Sequence, residues 1–142
     1  MLAEIKHEDI EQRLVDWQQR LNELYSSVQS WLPSNMGYQI DTSGSVVMNE
    51  ELMKRRNISA VNLPTMTITH NSERVLYFEP KGLWVIGANG RVDVFGKEST
   101  WVLVDISDRF ASETKWKVTE PSDRRTMKDF DKSSFLEMLS EQ

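Results

Sequence analysis

The stretch EPKGLWVIGANGRVDVFGKESTWVLVDIS, Glu79 to Ser107, alternates in the manner of a strand, turns at Asn89-Gly90 and alternates again. A half-buried strand puts apolar side chains on one face of a sheet and polar ones on the other, with a period of two. Here both sets of alternating positions carry large apolar groups, and one set also carries Arg91, Asp93 and Asp105. Asn-Gly is the favoured pair for a two-residue hairpin turn, because both turn positions need positive φ. That turn predicts Ala88 opposite Arg91, Ile86 opposite Asp93, Val85 opposite Val94 and Trp84 opposite Phe95. A connection of three or five residues then leads to the next strand. The five-residue form sets Phe95 opposite Trp101, and both keep the same faces.

Working outward, the pattern from Thr65 to Ile106 reads as an antiparallel meander. Strands are expected over 65–70, 74–80, 83–88, 91–95 and 100–106, with a sixth over 115–119. Ahead of it, Ile10, Leu14, Trp17, Leu21, Leu24, Val28 and Trp31 recur alternately every four and three residues. This is the apolar seam of a helix over 8–32, stopped by Pro33. Tyr38–Ile40 and Ser45–Met48 suit two short strands, and Asn49 suits the cap of a short helix over 50–56. Residues 120–130 read as irregular. A last helix is expected over 132–140, capped by Asp131 or Ser133. The fold class is therefore α+β in a single domain over 1–142: a long N-terminal helix packed on a sheet of five or six strands, and a short C-terminal helix.

The register divides the side chains. Met66, Ile68, Leu76, Phe78, Leu83, Val85, Val92, Val94, Val102, Val104 and Ile106 form an aliphatic face, which the seam of the first helix covers. A helix zipped to a second copy is the other use of that seam, but Trp17 and Trp31 are bulky for a tight coiled coil. The second face collects Thr67, Thr69, Val75, Tyr77, Glu79, Trp84, Ile86, Arg91, Asp93, Phe95, Trp101, Leu103 and Asp105, and the seven candidate binding residues among them are Tyr77, Trp84, Arg91, Asp93, Phe95, Trp101 and Asp105. Bare, they would form a larger apolar patch than a monomer usually exposes. Residues 34–60 or the last helix would cover them from within, a partner would cover them from outside, or a ligand would sit in a pocket there. Aromatics and arginine are enriched in interface centres.

Composition narrows the classes. The chain of 142 residues has a formal net charge of -5 and no cysteine. The negative balance argues against a general affinity for nucleic acid, which rests on neutralising phosphates. Lacking cysteine, the chain has no disulfide, no thiolate metal site and no cysteine nucleophile, which fits a reducing, cytoplasmic setting. Residues 1–30 hold no secretory apolar run, and no run reaches the ~18 residues of a membrane span. His7 and His70 are far apart, with no carboxylate at metal-ligand spacing beside either. GANGR at 87–91 lacks the spacing of a phosphate loop and is followed by no helix. No catalytic residue, metal or cofactor is assigned.

The sequence thus points to a non-enzymatic protein-binding or regulatory module, a subunit, adaptor or inhibitor. Its partner is another protein or a second copy of itself, giving a homo-oligomer. The alternative is a small-ligand-binding or hydrolytic domain with a pocket at Arg91, Asp93 and Asp105.

Overall fold

The computed structural model describes residues 7–48, 54, 57, 59–82, 90–107, 114–120 and 123–142. The first helix, α1, spans His7–Trp31. Its seam is buried as the spacing predicts: Leu14, Trp17, Leu21, Leu24 and Val28 lie in the core, joined by Tyr25 and Arg20. Past Trp31 the chain turns through Asn35 and Gly37, both with positive φ.

Among the described residues nine strands follow: β1 (Tyr38–Asp41), β2 (Ser45–Met48), β3 (Val61–Pro64), β4 (Met66–His70), β5 (Glu73–Gly82), β6 (Arg91–Phe95), β7 (Thr100–Asp105), β8 (Trp116–Glu120) and β9 (Asp123–Asp129). Seven of them form one sheet in the order β1-β4-β5-β6-β7-β8-β9, and β2 and β3 form a separate ribbon. The pairings are antiparallel. From β4 onward each strand lies beside its neighbour in sequence, so the meander is present and longer than five or six strands.

The last helix, α2 (Lys132–Ser140), has Asp131 as its N-cap in a capping box with Ser134. The Ser134 amide donates to Asp131 Oδ1 at 3.0 Å, and the Asp131 amide donates to Ser134 Oγ at 2.8 Å. These bonds satisfy two amides that a helix start otherwise leaves without partners.

One core serves all of these elements. Met66, Ile68, Leu76, Phe78, Val92, Val94, Trp101, Leu103 and Val118 supply it from the sheet. The seam of α1, the α2 residues Phe135, Met138 and Leu139, and Met48 and Leu63 of the ribbon pack on the same side. Trp31 ties the helices together, its ring 5.6 Å from Phe130 and 6.0 Å from Phe135. Tyr25 ties α1 to the ribbon by donating from its hydroxyl to the Pro64 carbonyl at 2.8 Å.

Four expectations are corrected. First, β6 lies between β5 and β7, with Tyr77 opposite Phe95, Phe78 opposite Val94 and Glu79 opposite Asp93. The place predicted for residues 83–88 is therefore taken by β5. Residues 83–89, with Trp84 and Asn89, lie outside the described residues. Second, β7 is inverted. Phe95 pairs with Thr100, Val94 with Trp101, Val92 with Leu103 and Arg91 with Val104. The connection is the four residues 96–99, closed by a Gly96 amide donating to the Ser99 carbonyl at 2.8 Å. An even connection changes the parity of the register, and a one-residue slip moves every side chain of a strand to the other face. Third, residues 123–129 form an edge strand, β9, in place of an irregular segment. Its described side chains are exposed and mostly charged, a composition that guards a free sheet edge and hides the strand from an apolar pattern. Fourth, β3 was not foreseen. The expected helix over 50–56 lies almost wholly outside the described residues.

Candidate functional site

Both helices and the β2–β3 ribbon pack on one face of the sheet. Among the described residues, no helix or strand covers the other. Strand alternation brings Tyr77, Glu79, Arg91, Asp93 and Phe95 to that second face. Two bulges add to it. Thr69 pairs with Arg74 while Ile68 pairs with Leu76, so Val75 is the extra residue and Arg74 turns to the side of Thr69. Pro80 pairs with Val92 and Gly82 with Arg91, which leaves Lys81 as the extra residue of the second bulge. A bulge re-aims side chains that strict alternation would send elsewhere.

The centre is the Tyr77–Phe95 pair, whose ring centroids are 6.2 Å apart at 29°. Both rings are half-buried. Arg74 places its guanidinium carbon 5.4 Å from the Tyr77 centroid, and Lys81 its ammonium 5.8 Å from that of Phe95. Beside the aromatics, Glu79 and Asp93 stand directly opposite each other. Like charges in such a cross-strand pair repel. Each is relieved by a cation on its own strand: Lys81 Nζ lies 2.8 Å from Glu79 Oε1, and Arg91 Nε 2.8 Å from Asp93 Oδ1. Arg91 Nη2 reaches Asp93 Oδ2 at 3.3 Å, so the pair is two-pronged. The Asp93 side chain is 10% exposed and that of Arg91 42%. At the far end Lys97 pairs with Glu73 at 3.1 Å. Among the described residues, Arg74 makes no ion pair.

Four of the seven candidate residues, Tyr77, Arg91, Asp93 and Phe95, therefore share one surface. Trp101 and Asp105 do not. Both face the helices, Trp101 at 4% exposure and Asp105 at 0%. Trp84 lies outside the described residues. Glu79 stands on this face as expected, Val75 and Leu103 lie in the core instead, by the bulge and by the inverted register of β7, and Arg74 and Lys81 complete the site without having been among the expected residues. Their signal was the run ERVLYFEPK around Tyr77, in which charges flank an aromatic on both sides.

Asp105 belongs to a buried cluster. Its Oδ2 accepts from Arg20 Nη1 at 2.5 Å, and its Oδ1 accepts from the amides of Ser107 at 3.0 Å and Lys115 at 3.1 Å. Arg20 also donates to Ser107 Oγ at 2.7 Å and to Asp16 Oδ2 at 2.7 Å. Burial disfavours the charged guanidinium, but the bonds to Asp16 and Asp105 outweigh it and hold the Arg20 pKa above its ordinary value. The cluster fastens α1 to the end of β7 and closes the neck of the segment between Ile106 and Lys115. Its chemistry is that of a structural clasp.

Among the described residues, no three His, Asp or Glu side chains gather as metal ligands would, and no helix is long and apolar enough to cross a membrane. Comparison of the chain with protein-family models, curated proteins and solved structures gave no match.

Proposed function

We propose that this protein is a non-enzymatic protein-binding module that acts through the sheet face centred on Tyr77 and Phe95. The observation that carries this reading is that, among the described elements, both helices and the ribbon lie on one side of the sheet, while a half-buried aromatic pair ringed by charges lies on the other. Aromatic and arginine side chains with a polar rim are the composition of interface centres. The charges are held in place by ion pairs, which lowers the cost of ordering them on association.

A pocket built from Arg91, Asp93 and Asp105 loses its geometric basis, because Asp93 and Asp105 point to opposite sides of the sheet. The test is Tyr77→Ala and Phe95→Ala, alone and together. Association of the full chain, with itself or with a copurifying protein, is expected to weaken by ~2 kcal/mol or more per ring. Fold stability should change less than association, since both rings lie outside the core and keep part of their surface exposed. A large loss of stability with unchanged association would refute the reading.

A further inference from the structure

We infer that this protein has a binding site for a small uncharged aromatic molecule bearing a hydroxyl group, a phenol in chemical class, in the cavity between α1, β8 and the approach to α2. The inference stands apart from the protein-binding reading, because the cavity lies on the helix side of the sheet and the Tyr77–Phe95 face on the other. The cavity has a volume of about 200 Å³ and is lined by Leu24, Ser27, Trp31, Thr114, Trp116 and Phe130. Its origin is visible in the helix. Leu24, Ser27 and Trp31 are three and four residues apart, so they share one face of α1. Serine stands between two large residues of that face, and the volume it lacks is left open. Thr114, two positions before Trp116, is a second small residue on the strand side.

The walls decide the ligand. Trp31 and Phe130 meet edge to face with centroids 5.6 Å apart, and Trp116 lies 6.0 Å from Trp17. Those contacts hold the aromatic walls in place before a ligand arrives, which lowers the cost of binding. An apolar cavity of about 150 Å³ takes a benzene ring, so the larger volume here admits one ring with a polar substituent. Among the described residues no charged side chain lines the cavity. A carboxylate or an ammonium would therefore lose its hydration there without gaining an ion partner. Neutral polar groups are present. Ser27 and Thr114 are half-buried while Leu24, Trp116 and Phe130 are buried, so the two hydroxyls stand toward the mouth. The Trp116 wall also carries an indole Nε1–H that is buried and bonded to nothing, whereas buried donors usually have an acceptor. A phenolic hydroxyl both donates and accepts, which suits two hydroxyls and an unpaired N–H. Apolar walls with a few polar groups are the ordinary composition of a small-molecule site.

The test adds phenol to the full chain, read by isothermal titration calorimetry and by two-dimensional NMR of the indole N–H groups. Phenol should bind with a dissociation constant of roughly 1 mM or tighter, within reach of a seven-atom ligand. The Trp31 and Trp116 indole signals should move, while that of Trp101, which lies beside Ser134 and Met138 of α2, should stay. Toluene should bind more weakly than phenol, and benzoate and tetramethylammonium more weakly still. Ser27→Leu fills the cavity from the helix and should raise the phenol dissociation constant at least ~10-fold, with circular dichroism establishing the fold. If it fails to fold, Thr114→Leu fills the same space from the strand. Thr114→Val keeps the shape, removes one hydroxyl and should raise the constant roughly 3–10-fold. Absence of phenol binding up to roughly 10 mM overturns the inference. So does binding that leaves the Trp116 signal in place or that the cavity-filling variant does not weaken. Toluene binding as tightly as phenol overturns the hydroxyl in the ligand class. Tetramethylammonium binding more tightly than phenol overturns the class itself and makes the walls a cation cage.

Discussion

Replacing Asp105 with alanine should destabilise the fold by about 3–5 kcal/mol, the usual cost of breaking a buried ion pair from one side. The carboxylate has no exposed surface and accepts three hydrogen bonds, from Arg20 and from the amides of Ser107 and Lys115. Alanine leaves both amides without that acceptor, at ~1–3 kcal/mol for each that stays dry. It also leaves the guanidinium without its buried anion, although Asp16 remains beside it. Arg20→Met should cost less, about 2–3 kcal/mol, because Asp105 then keeps its two amide donors. The double variant should fall short of the sum by ~1–3 kcal/mol, the coupling of two groups in direct contact. Urea melts of the four proteins at neutral pH measure all of this. The sign of the Arg20 shift sets the pH dependence. A pKa raised on folding contributes stability that is whole below the unfolded value and fades only as pH climbs through the folded one. The Arg20 contribution should thus be constant across neutral and mildly alkaline pH. A loss below ~1 kcal/mol for Asp105→Ala, or strict additivity, would refute the clasp.

Other outcomes follow from the same packing. Trp101→Ala should cost ~3–5 kcal/mol of stability, as a large-to-small core change does, and leave any association unchanged; a denaturant melt and a binding assay on one sample decide this. Gly90→Ala should be destabilising, because its Cβ would lie 2.4 Å from the Trp17 ring at a φ of +151°; a near-wild-type melting temperature would misplace Gly90. Leu21→Asp puts an unpaired charge at a fully buried seam position and should leave the chain unfolded by circular dichroism. The Ser43 hydroxyl and amide hold the Asp41 carboxyl below the usual range, so its contribution is present above the unfolded pKa and lost as pH falls through the folded one. Ser43→Ala should raise the Asp41 midpoint in a carbon-detected NMR titration.

Much of the architecture is legible because helices and amphipathic strands announce themselves by period. The seam of α1 and the cap of α2 stand where the residues put them, and β1, β2, β4, β6, β7 and β8 lie within a residue or two of expectation. What failed has local causes. β9 is a charged edge strand paired through its backbone to β8, so no apolar alternation marks it. β3 ends at Pro64, and the ribbon it forms with β2 stands apart from the main sheet. The Asn-Gly signal drew β6 toward residues 83–88, whereas its partner is the ten-residue β5.

The site depended on a smaller quantity still, the parity of one connection. Val102, Val104 and Trp101, Leu103, Asp105 are two interleaved sets, and both contain residues fit for a core. Hydrophobicity alone does not choose between them. A three- or five-residue turn selects the valines for the core, and a four-residue turn selects Trp101 and Leu103. The choice is settled by long-range fit. Trp101 reaches α2, where Ser134 and Met138 lie beside it, and Asp105 reaches Arg20 on α1. A buried aspartate with no exposed surface needs that cation, and among the β7 residues only Asp105 stands where α1 presents one. The same parity leaves the second face to Val102 and Val104 on β7. Its aromatic character is thereby concentrated on β5 and β6, the two strands whose flanking charges are ordered about Tyr77 and Phe95.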